Sequence, residues 1–264
     1  MKKNIFCLLV TASVLIFYSC LSSGSYVDNN TTNDTIQLNT EEENPVFEEV
    51  EVFVYTLSDN GIILNGFVTR YRHRDRGIVI PAEINGYPVV EIGANAFRGE
   101  DISSVELPET IRIIHEEAFS RNRISELILP NSIEIIYDNA FSYNGMKELV
   151  LSNNLEIIGG WAFDGNFLEG DLIIPEGVKI IGRSAFSRNR YTSVVLPNSL
   201  QSLGSEAFRQ MITIDTVVIG DNVNIEGDPF PNGYFGNVYE QNNKRGGIYI
   251  LTRTSSSNIR YVRQ

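Results

Sequence analysis

The chain has 264 residues, 42% of them hydrophobic and 20% charged, so it can bury a sizeable core in one elongated domain or two small ones. Its formal net charge of −12 argues against nucleic-acid binding, because phosphates are held through Lys and Arg. Both cysteines, Cys7 and Cys20, lie at the amino terminus and neither histidine has a partner at ligand spacing, so we expect no disulfide, metal or cofactor in the folded part.

Residues 1–19 have the pattern of an export signal. Two lysines precede an apolar run from residue 5 to residue 18, which is too short to be a good membrane-spanning helix. The end of this run, Phe17-Tyr18-Ser19-Cys20, resembles a bacterial lipobox, although Phe17 stands where leucine is usual. We predict a lipoprotein of the bacterial cell envelope, at the outer surface, anchored to the membrane through a lipid on Cys20. The alternative is an ordinary signal peptide in which this cysteine has no role.

Two segments separate the signal from the rest of the chain. Residues 20–47 are rich in Ser, Asn, Thr and acidic residues, a composition that does not fold alone, and we predict a disordered acidic tether. Residues 48–79 contain two apolar runs around Ser58-Asp59-Asn60-Gly61, which predicts a hairpin that caps the array that follows. The same segment holds a basic cluster at residues 70–76, which we interpret as a solvated loop or, alternatively, an anion-binding surface.

An Ala-Phe pair recurs through residues 80–230. Its phenylalanines lie 22, 22, 22, 23 and 22 residues apart, and Phe230, another 22 residues on, follows a proline instead of an alanine. The regular copies end at Phe97, Phe119, Phe141, Phe163, Phe186 and Phe208. A unit of this size cannot bury its own apolar face, so the pattern predicts stacked coils whose phenylalanines form a buried aromatic stack.

Each coil carries two short apolar segments. A triplet such as Leu127-Ile128-Leu129, followed by proline, fits a short strand, and we expect it to pair in parallel with both neighbouring coils. An Ile-Ile segment bordered by glycine predicts a second, shorter strand on the opposite wall. An asparagine also lies three residues after the phenylalanine in four coils, and we interpret it as a buried amide that bonds backbone groups of adjacent coils. These asparagines are Asn122, Asn144, Asn166 and Asn189.

The repeat reads LxxLxLPxxIxxIgxxAFxxN, which resembles the BspA-type, Treponema-like leucine-rich repeats of bacterial surface proteins. The likeness covers residues 80–230, with local departures: Ser152 replaces the proline, and Gly170-Asp171 carries an insertion. It implies a mainly β fold, a leucine-rich-repeat solenoid of about six to seven 22–23-residue coils with short parallel strands, capped by β-hairpins at both ends. Residues 231–264 would form the second cap, because two alternating runs flank a polar turn there.

The middle residue of each strand triplet points outward if its neighbours face the core. Five of the six outward residues are apolar, which predicts an apolar stripe beside a more polar column. The candidate binding residues on this face are Glu106, Glu126, Ile128, Glu148, Val150, Asp171, Ile173, Val195 and Val218. Three interpretations stay open: a protein-binding surface, the ordinary preference of strands for β-branched residues, and a stripe covered by the C-terminal segment.

The sequence contains no phosphate-binding loop, nucleophile elbow or zinc-protease motif, so we predict a protein that is not an enzyme. The resemblance implies protein–protein interaction, and adhesion to host matrix proteins or to another cell is the leading hypothesis. An envelope scaffold without an external ligand is the alternative. A carbohydrate-binding solenoid is a third hypothesis, for which Tyr143, Trp161 and Tyr191 are the aromatic candidates.

Overall fold

The structure, a computed structural model, covers most of the repeat region and elements at both of its ends. The described residues are 53–68, 77–211, 214–231, 235–253 and 259–264. The predicted signal peptide, Cys20, the acidic tether and the basic cluster of residues 70–76 lie outside them. Within the described residues, no helix is long and apolar enough to cross a membrane.

An antiparallel hairpin, β1 (Phe53–Ser58) and β2 (Gly61–Phe67), lies at the N-terminal end of the array, as the sequence predicts. Gly61 has a φ of 138°, and a Cβ added there would lie 2.5 Å from the carbonyl oxygen of Pro88. Both the conformation and the close approach require glycine. Strand β2 pairs in parallel with β5 (Tyr87–Ile92) of the first coil, so the hairpin continues the sheet of the repeats.

One wall of the solenoid is a continuous sheet with one strand from every coil, and we call it the short-strand wall. It contains β5, its antiparallel neighbour β4 (Glu83–Ile84), and then β7 (Ile113–Ile114), β9 (Ile135–Ile136), β11 (Ile157–Ile158), β13 (Ile180–Ile181), β15 (Ser202–Leu203) and β17 (Asn224–Ile225). Glycine follows several of these strands. A Cβ added at Gly182 would lie 2.5 Å from the backbone nitrogen of Gly160, so the backbones of adjacent coils approach closely here.

The opposite wall, which we call the long-strand wall, consists of the strands that precede the repeat prolines. They are β3 (Gly77–Val79), β6 (Ser104–Glu106), β8 (Glu126–Ile128), β10 (Glu148–Val150), β12 (Glu169–Ile173), β14 (Arg190–Val195) and β16 (Thr216–Ile219). The expectation that each strand pairs with both neighbours is wrong, because the ladder is interrupted between β6 and β8 and again between β10 and β12. At the second break, the 23-residue coil has a register shift between Gly170 and Asp171. A bulge bends its strand and disrupts pairing, which accounts for this break.

The phenylalanines of the Ala-Phe pairs form one stack between the two walls. Adjacent ring centroids are 4.9–5.7 Å apart, and adjacent ring planes lie within 15° of each other. The stack includes Phe230, so the last, proline-preceded copy still forms a coil. Phe67 packs edge-on against Phe97 at 4.9 Å, and Phe235 packs edge-on against Phe230 at 4.7 Å. Aromatic rings therefore cover both ends of the stack.

Each regular Ala-Phe pair lies between two residues with positive φ. One residue precedes the alanine: Asn95, Glu117, Asn139, Trp161, Ser184 and Glu206. The other follows the phenylalanine by two positions: Gly99, Arg121, Tyr143, Gly165, Arg188 and Gln210. Since only two of these twelve are glycine, the sequence gives little sign of this turn. Hydrogen bonds between coils impose it instead, such as the one from the Phe141 amide to the Ala162 carbonyl at 2.8 Å.

The asparagine three residues after the phenylalanine is buried and joins two coils. Nδ2 of Asn144 donates to the carbonyls of Phe119 and Phe141 at 2.9 and 3.1 Å, and its Oδ1 accepts from the Ile124 amide at 3.1 Å. Equivalent bonds are made by Asn122, Asn166 and Asn189. These side chains satisfy backbone groups that neither wall reaches.

We expect Asn144→Ala to lower the free energy of unfolding by about 1–3 kcal/mol, because the buried Ile124 amide loses its acceptor. The Phe119 and Phe141 carbonyls each lose one of two side-chain donors and keep the bonds from Asn122 and Asn166. Thermal denaturation followed by circular dichroism measures the change. Asn154→Ala removes an exposed amide from the same coil and serves as the control, which we expect to change stability little. An unchanged melting temperature for Asn144→Ala would contradict the role assigned to this amide.

The C-terminal end contains a helix that the sequence pattern does not predict. Helix α1 (Phe235–Gln241) follows the last coil, and β18 (Gly247–Arg253) and β19 (Ile259–Arg263) form the expected antiparallel pair. Tyr239 of the helix is fully buried, and its hydroxyl donates to the Gly220 carbonyl at 2.7 Å. A seven-residue helix is too short to show a clear period, so the predicted hairpin cap is corrected to a helix with a hairpin.

Candidate protein-binding face

The outward side chains of the long-strand wall form an apolar stripe. Ile128 lies beside Val150 in one ladder, and the next ladder aligns Ile173, Val195 and Val218. Ile128 is 73% exposed, Ile173 67% and Val150 53%. The other two are half-buried. These three residues are therefore more open than the two that follow them towards the C-terminal end.

Two residues beyond the predicted set extend the stripe at its ends. Val79, in register with the exposed Glu106, is 59% exposed, and Ile248, in register with Val218, is 46% exposed. The sequence holds a sign of Val79, since Ile78-Val79-Ile80-Pro81 repeats the strand-then-proline pattern. No pattern in the sequence predicts that Ile248 lies on this face. It does so because β18 pairs with β16.

The C-terminal hairpin lies beside the stripe and does not cover it. Strand β18 is antiparallel to β16 in the same sheet, and β19 follows at the outer edge. One of the three interpretations drawn from the sequence, a stripe covered by the C-terminal segment, is therefore wrong for the described residues. The outward isoleucines and valines in the middle of the array remain exposed to solvent.

A column of carboxylates runs along one side of the stripe. Glu126, Glu148 and Asp171 are all exposed, and each precedes the outward apolar residue of its strand by two positions. Asp171 accepts a hydrogen bond from the Ser193 hydroxyl at 2.6 Å. None of these three carboxylates forms an ion pair with a cation among the described residues. Their negative charge is therefore available to a partner.

The short-strand wall differs from the long-strand wall in the pairing of its charges and in the exposure of its apolar side chains. Its charges are paired between coils: Arg112 with Glu134 at 3.1 Å and Lys179 with Glu156 at 2.8 Å. Its outward isoleucines are half-buried, apart from Ile180 at 41% exposure. Both walls carry β-branched columns, so strand preference alone does not explain why one wall has open apolar side chains and unpaired acids.

The break between β10 and β12 opens a cleft of about 520 Å³ in the long-strand wall. Its floor is apolar, with Tyr191 and the leucines at positions 149, 151, 168 and 172. Its rim carries exposed charged residues: Lys147, Glu148, Glu169 and Asp171. Strand β10 pairs only with β8, and β12 only with β14, so the two facing edges have no ladder hydrogen bonds. The insertion at Gly170-Asp171 is the one sign of this cleft in the sequence.

The aromatic residues of the carbohydrate hypothesis do not form an exposed platform. Tyr191 is 4% exposed, and burial raises the pKa of its hydroxyl above the usual range. Tyr143 is 43% exposed, but two guanidinium groups contact its ring, Arg121 at 5.4 Å and Arg188 at 4.8 Å from the centroid. Trp161 is half-buried. A sugar-binding face needs open rings side by side, which this set does not provide.

The described residues contain no group of three His, Cys, Asp or Glu side chains placed to hold a metal ion. His115 is paired with Glu91 at 2.6 Å, and its ring stacks on Tyr137 at 5.3 Å. The recurring phenylalanines and asparagines lie in the interior, where they contact other coils. The surface feature that stands out is thus the long-strand wall with its stripe, carboxylates and cleft.

Six copies of the BspA type leucine rich repeat region match the chain, over residues 83–189 and 167–233. The chain belongs to this family. BspA-type solenoids typically act as binding scaffolds. No curated protein sequence is significantly similar to the chain.

Solved structures of bacterial leucine-rich repeat proteins share this BspA-type fold. The T. pallidum leucine rich repeat protein TpLRR is 23% identical, with 74% of this chain and 94% of that chain covered and a TM-score of 0.58. A leucine-rich repeat protein from Bacteroides ovatus is 27% identical, with coverage of 68% and 49% and a TM-score of 0.57. The pneumococcal vaccine antigen PcpA is 20% identical, with coverage of 67% and 50% and a TM-score of 0.51. This chain spans about half the length of the last two.

Proposed function

We propose that this protein is a bacterial cell-surface protein whose long-strand wall binds another protein. The observation that carries the proposal is the exposed apolar stripe bordered by carboxylates without cationic partners. Contiguous exposed apolar side chains with a polar margin are typical of protein interfaces. A partner with an apolar patch and a basic margin would bury the stripe and offset the charge of the acids.

The solenoid supplies a rigid support for such a contact. The short-strand wall is unbroken, and the phenylalanine stack runs through every coil. Side chains that are already held in place lose less conformational freedom on binding, so more of the contact energy appears as affinity. Membership of the BspA-type family supports the same conclusion, because these solenoids serve as interaction scaffolds.

In this proposal the chain is exported and held at the outer surface through a lipid on Cys20. The acidic residues of the tether, residues 20–47, repel an anionic membrane and extend the segment, so the solenoid stands away from the lipid. A binding face at this position suits adhesion to host matrix proteins or to another cell. The lipobox-like sequence before Cys20 and the charge of the tether support a lipid-anchored adhesion protein.

We expect Ile173→Asp to weaken partner binding about tenfold or more, because its carboxylate would be buried in an apolar contact beside other acids. Ile180→Asp is the matched control: the same substitution seven residues later in the same coil, on the short-strand wall. Ile128→Asp tests the stripe away from the cleft. Surface plasmon resonance against immobilised extracellular matrix proteins measures the affinities, and thermal denaturation checks that each variant folds.

Two results would contradict the binding face. Equal affinity of the wild type, Ile128→Asp and Ile173→Asp for every bound matrix protein would place the contact elsewhere. An equal loss in Ile180→Asp would show that the added charge, and not its position on the long-strand wall, decides the affinity.

The lipid anchor gives a second prediction for this function. We expect Cys20→Ser to move the protein from the membrane fraction to the soluble fraction and to abolish incorporation of labelled palmitate, since the lipid is attached to the thiol sulfur. Cys7→Ser, within the predicted signal peptide, is the control and should leave both unchanged. Continued membrane retention with label in the Cys20→Ser protein would rule out this anchor.

Protease treatment of intact cells separates adhesion from an internal scaffold. A protein at the outer surface is cleaved, whereas one inside the envelope is protected until the cells are opened. Complete protection would contradict the proposed adhesion and favour the envelope scaffold.

A further inference from the structure

We infer that the cleft between β10 and β12 binds an extended segment of the partner protein that carries lysine or arginine. This inference rests on the proposed function, in which the long-strand wall binds a protein, and adds the place and the chemistry of the contact. Three features of the cleft carry it: free strand edges, an apolar floor and a rim rich in carboxylates.

The cleft exposes two strand edges that face each other without pairing. On the short-strand wall, the same two coils are joined by β11 and β13, which pair in register. On the long-strand wall a backbone bond from the Phe167 amide to the Met146 carbonyl, at 2.9 Å, joins the two coils just before the strands, and the strands themselves do not pair. A segment lying along β10 or β12 would make main-chain hydrogen bonds that the ladder lacks, which is how an added strand binds a sheet edge.

The insertion in the 23-residue coil keeps main-chain groups accessible at this place. Strand β12 has five residues against three in β10, and its first two, Glu169 and Gly170, precede the bulge. Gly170 has a φ of 81°, and a Cβ added there would meet no atom within 4 Å. Glu169 and Gly170 are both exposed, so the start of β12 is open to solvent.

The charges on the rim define the partner. Among the described residues that line the cleft, three are carboxylates, Glu148, Glu169 and Asp171, and one is a cation, Lys147, so negative charge is in excess. Arg190 is opposite Glu169 in the ladder, and its guanidinium lies over the Phe167 ring. Carboxylates still outnumber cations when this arginine is counted with Lys147. A lysine or arginine of the partner can lay its alkyl chain on the leucine floor while its charged end meets the carboxylates.

Other occupants match the cleft less well. The chain's own tether, residues 20–47, carries acidic and no basic residues, so it would be repelled by the rim. A second copy that presented the same wall would place carboxylates against carboxylates. A basic segment of a different protein removes this repulsion and is the occupant to which the inference commits.

Selection of displayed random ten-residue peptides on the full mature chain tests this inference. We expect enrichment of peptides in which lysine or arginine alternates with apolar residues. Their affinity should fall about tenfold or more in the cleft variant Glu148→Gln, Glu169→Gln, Asp171→Asn, and should fall as ionic strength rises. Methylation of alternate peptide nitrogens should also lower the affinity about tenfold, because edge hydrogen bonds are lost.

The matched control removes three exposed carboxylates outside the cleft: Glu106→Gln and Glu126→Gln on the long-strand wall, and Glu109→Gln in the turn that follows β6. We expect it to change peptide affinity less than about twofold. The stripe variant Ile128→Asp should also retain peptide binding, since this residue does not line the cleft.

Several results would overturn the inference. An equal loss in the cleft variant and its control would assign binding to the general charge of the wall. Selection of acidic peptides or of none, or self-association in sedimentation that the cleft variant abolishes, would exclude the proposed occupant. If no basic peptide binds but Ile128→Asp still loses the matrix protein, the cleft inference fails while the proposed function stands. If peptides bind the cleft but Ile128→Asp and Ile173→Asp still bind the matrix protein with wild-type affinity, the proposed binding through the stripe is contradicted instead.

Discussion

Phe141→Ala is expected to lower the free energy of unfolding by about 4 kcal/mol. Phe141 is fully buried at the centre of the stack, with ring centroids 5.3 Å from Phe119 and 5.6 Å from Phe163. Removing the ring leaves a cavity that faces both neighbouring coils. The coils cannot close it, because the short-strand wall fixes their spacing, and in a stacked array two interfaces weaken together.

Urea denaturation of the purified solenoid measures this loss. Phe167→Ala makes the same substitution at a phenylalanine that is 46% exposed one coil later, and we expect it to cost less than about 1 kcal/mol. Phe141→Leu should fall between the two, since it keeps part of the buried volume. Equal losses for Phe141→Ala and Phe167→Ala would contradict a stability that depends on the stack.

Arg188→Met is expected to lower the free energy of unfolding by about 3 kcal/mol. Asp164, which follows the stacked Phe163, is 1% exposed and is paired with Arg188. The hydrogen bond from Arg188 to Asp164 raises the pKa of the guanidinium, so the arginine stays charged. Without it, the carboxylate would remain buried with no cation beside it, which is far more costly than the loss of an exposed ion pair.

A double variant separates this explanation from a loss of packing. The residue after the phenylalanine is serine in the neighbouring coils, at Ser142 and Ser187, so Asp164→Ser introduces a side chain that this turn already accepts. We expect Asp164→Ser with Arg188→Met to recover most of the stability lost by Arg188→Met alone, as measured by urea denaturation. A double variant as unstable as the single one would show that the arginine acts through its contacts with Tyr143 instead.

Much of the fold could be predicted from the spacing of Phe97 to Phe230. A period of 22 residues fixes the size of one coil, and apolar residues at constant offsets fix which side chains face the interior. Membership of the BspA-type family, the parallel strands and the N-terminal hairpin are confirmed, whereas the C-terminal cap contains a helix besides the predicted hairpin. Helix α1 was missed because seven residues give no readable period, and the turns around each Ala-Phe pair were missed because residues such as Glu117 and Trp161 seldom adopt positive φ.

The candidate site was predicted in part. Alternation along each strand identifies Ile128, Val150 and Ile173 as outward residues, because side chains of a strand point to opposite faces in turn. Alternation does not predict how much of an outward side chain is exposed to solvent. Val195 and Val218 are half-buried because of their neighbours in the assembled wall. Nor can alternation show which charges find partners, because an ion pair between coils joins residues 22 or 23 positions apart whose side chains must also point towards each other.

The sequence by itself determined the coil length, the buried phenylalanine stack, the position of both strands in each coil and the direction of their side chains. These features follow from local periodicity, because every repeat has apolar residues at the same spacing. The tertiary structure alone decided that the short-strand wall is continuous while the long-strand wall is broken, that β18 extends the stripe, and that a cleft opens between β10 and β12. Pairing depends on how closely the backbones of successive coils approach. At the cleft the break coincides with the bulge at Gly170-Asp171, while β11 and β13 of the same coils stay paired on the other wall.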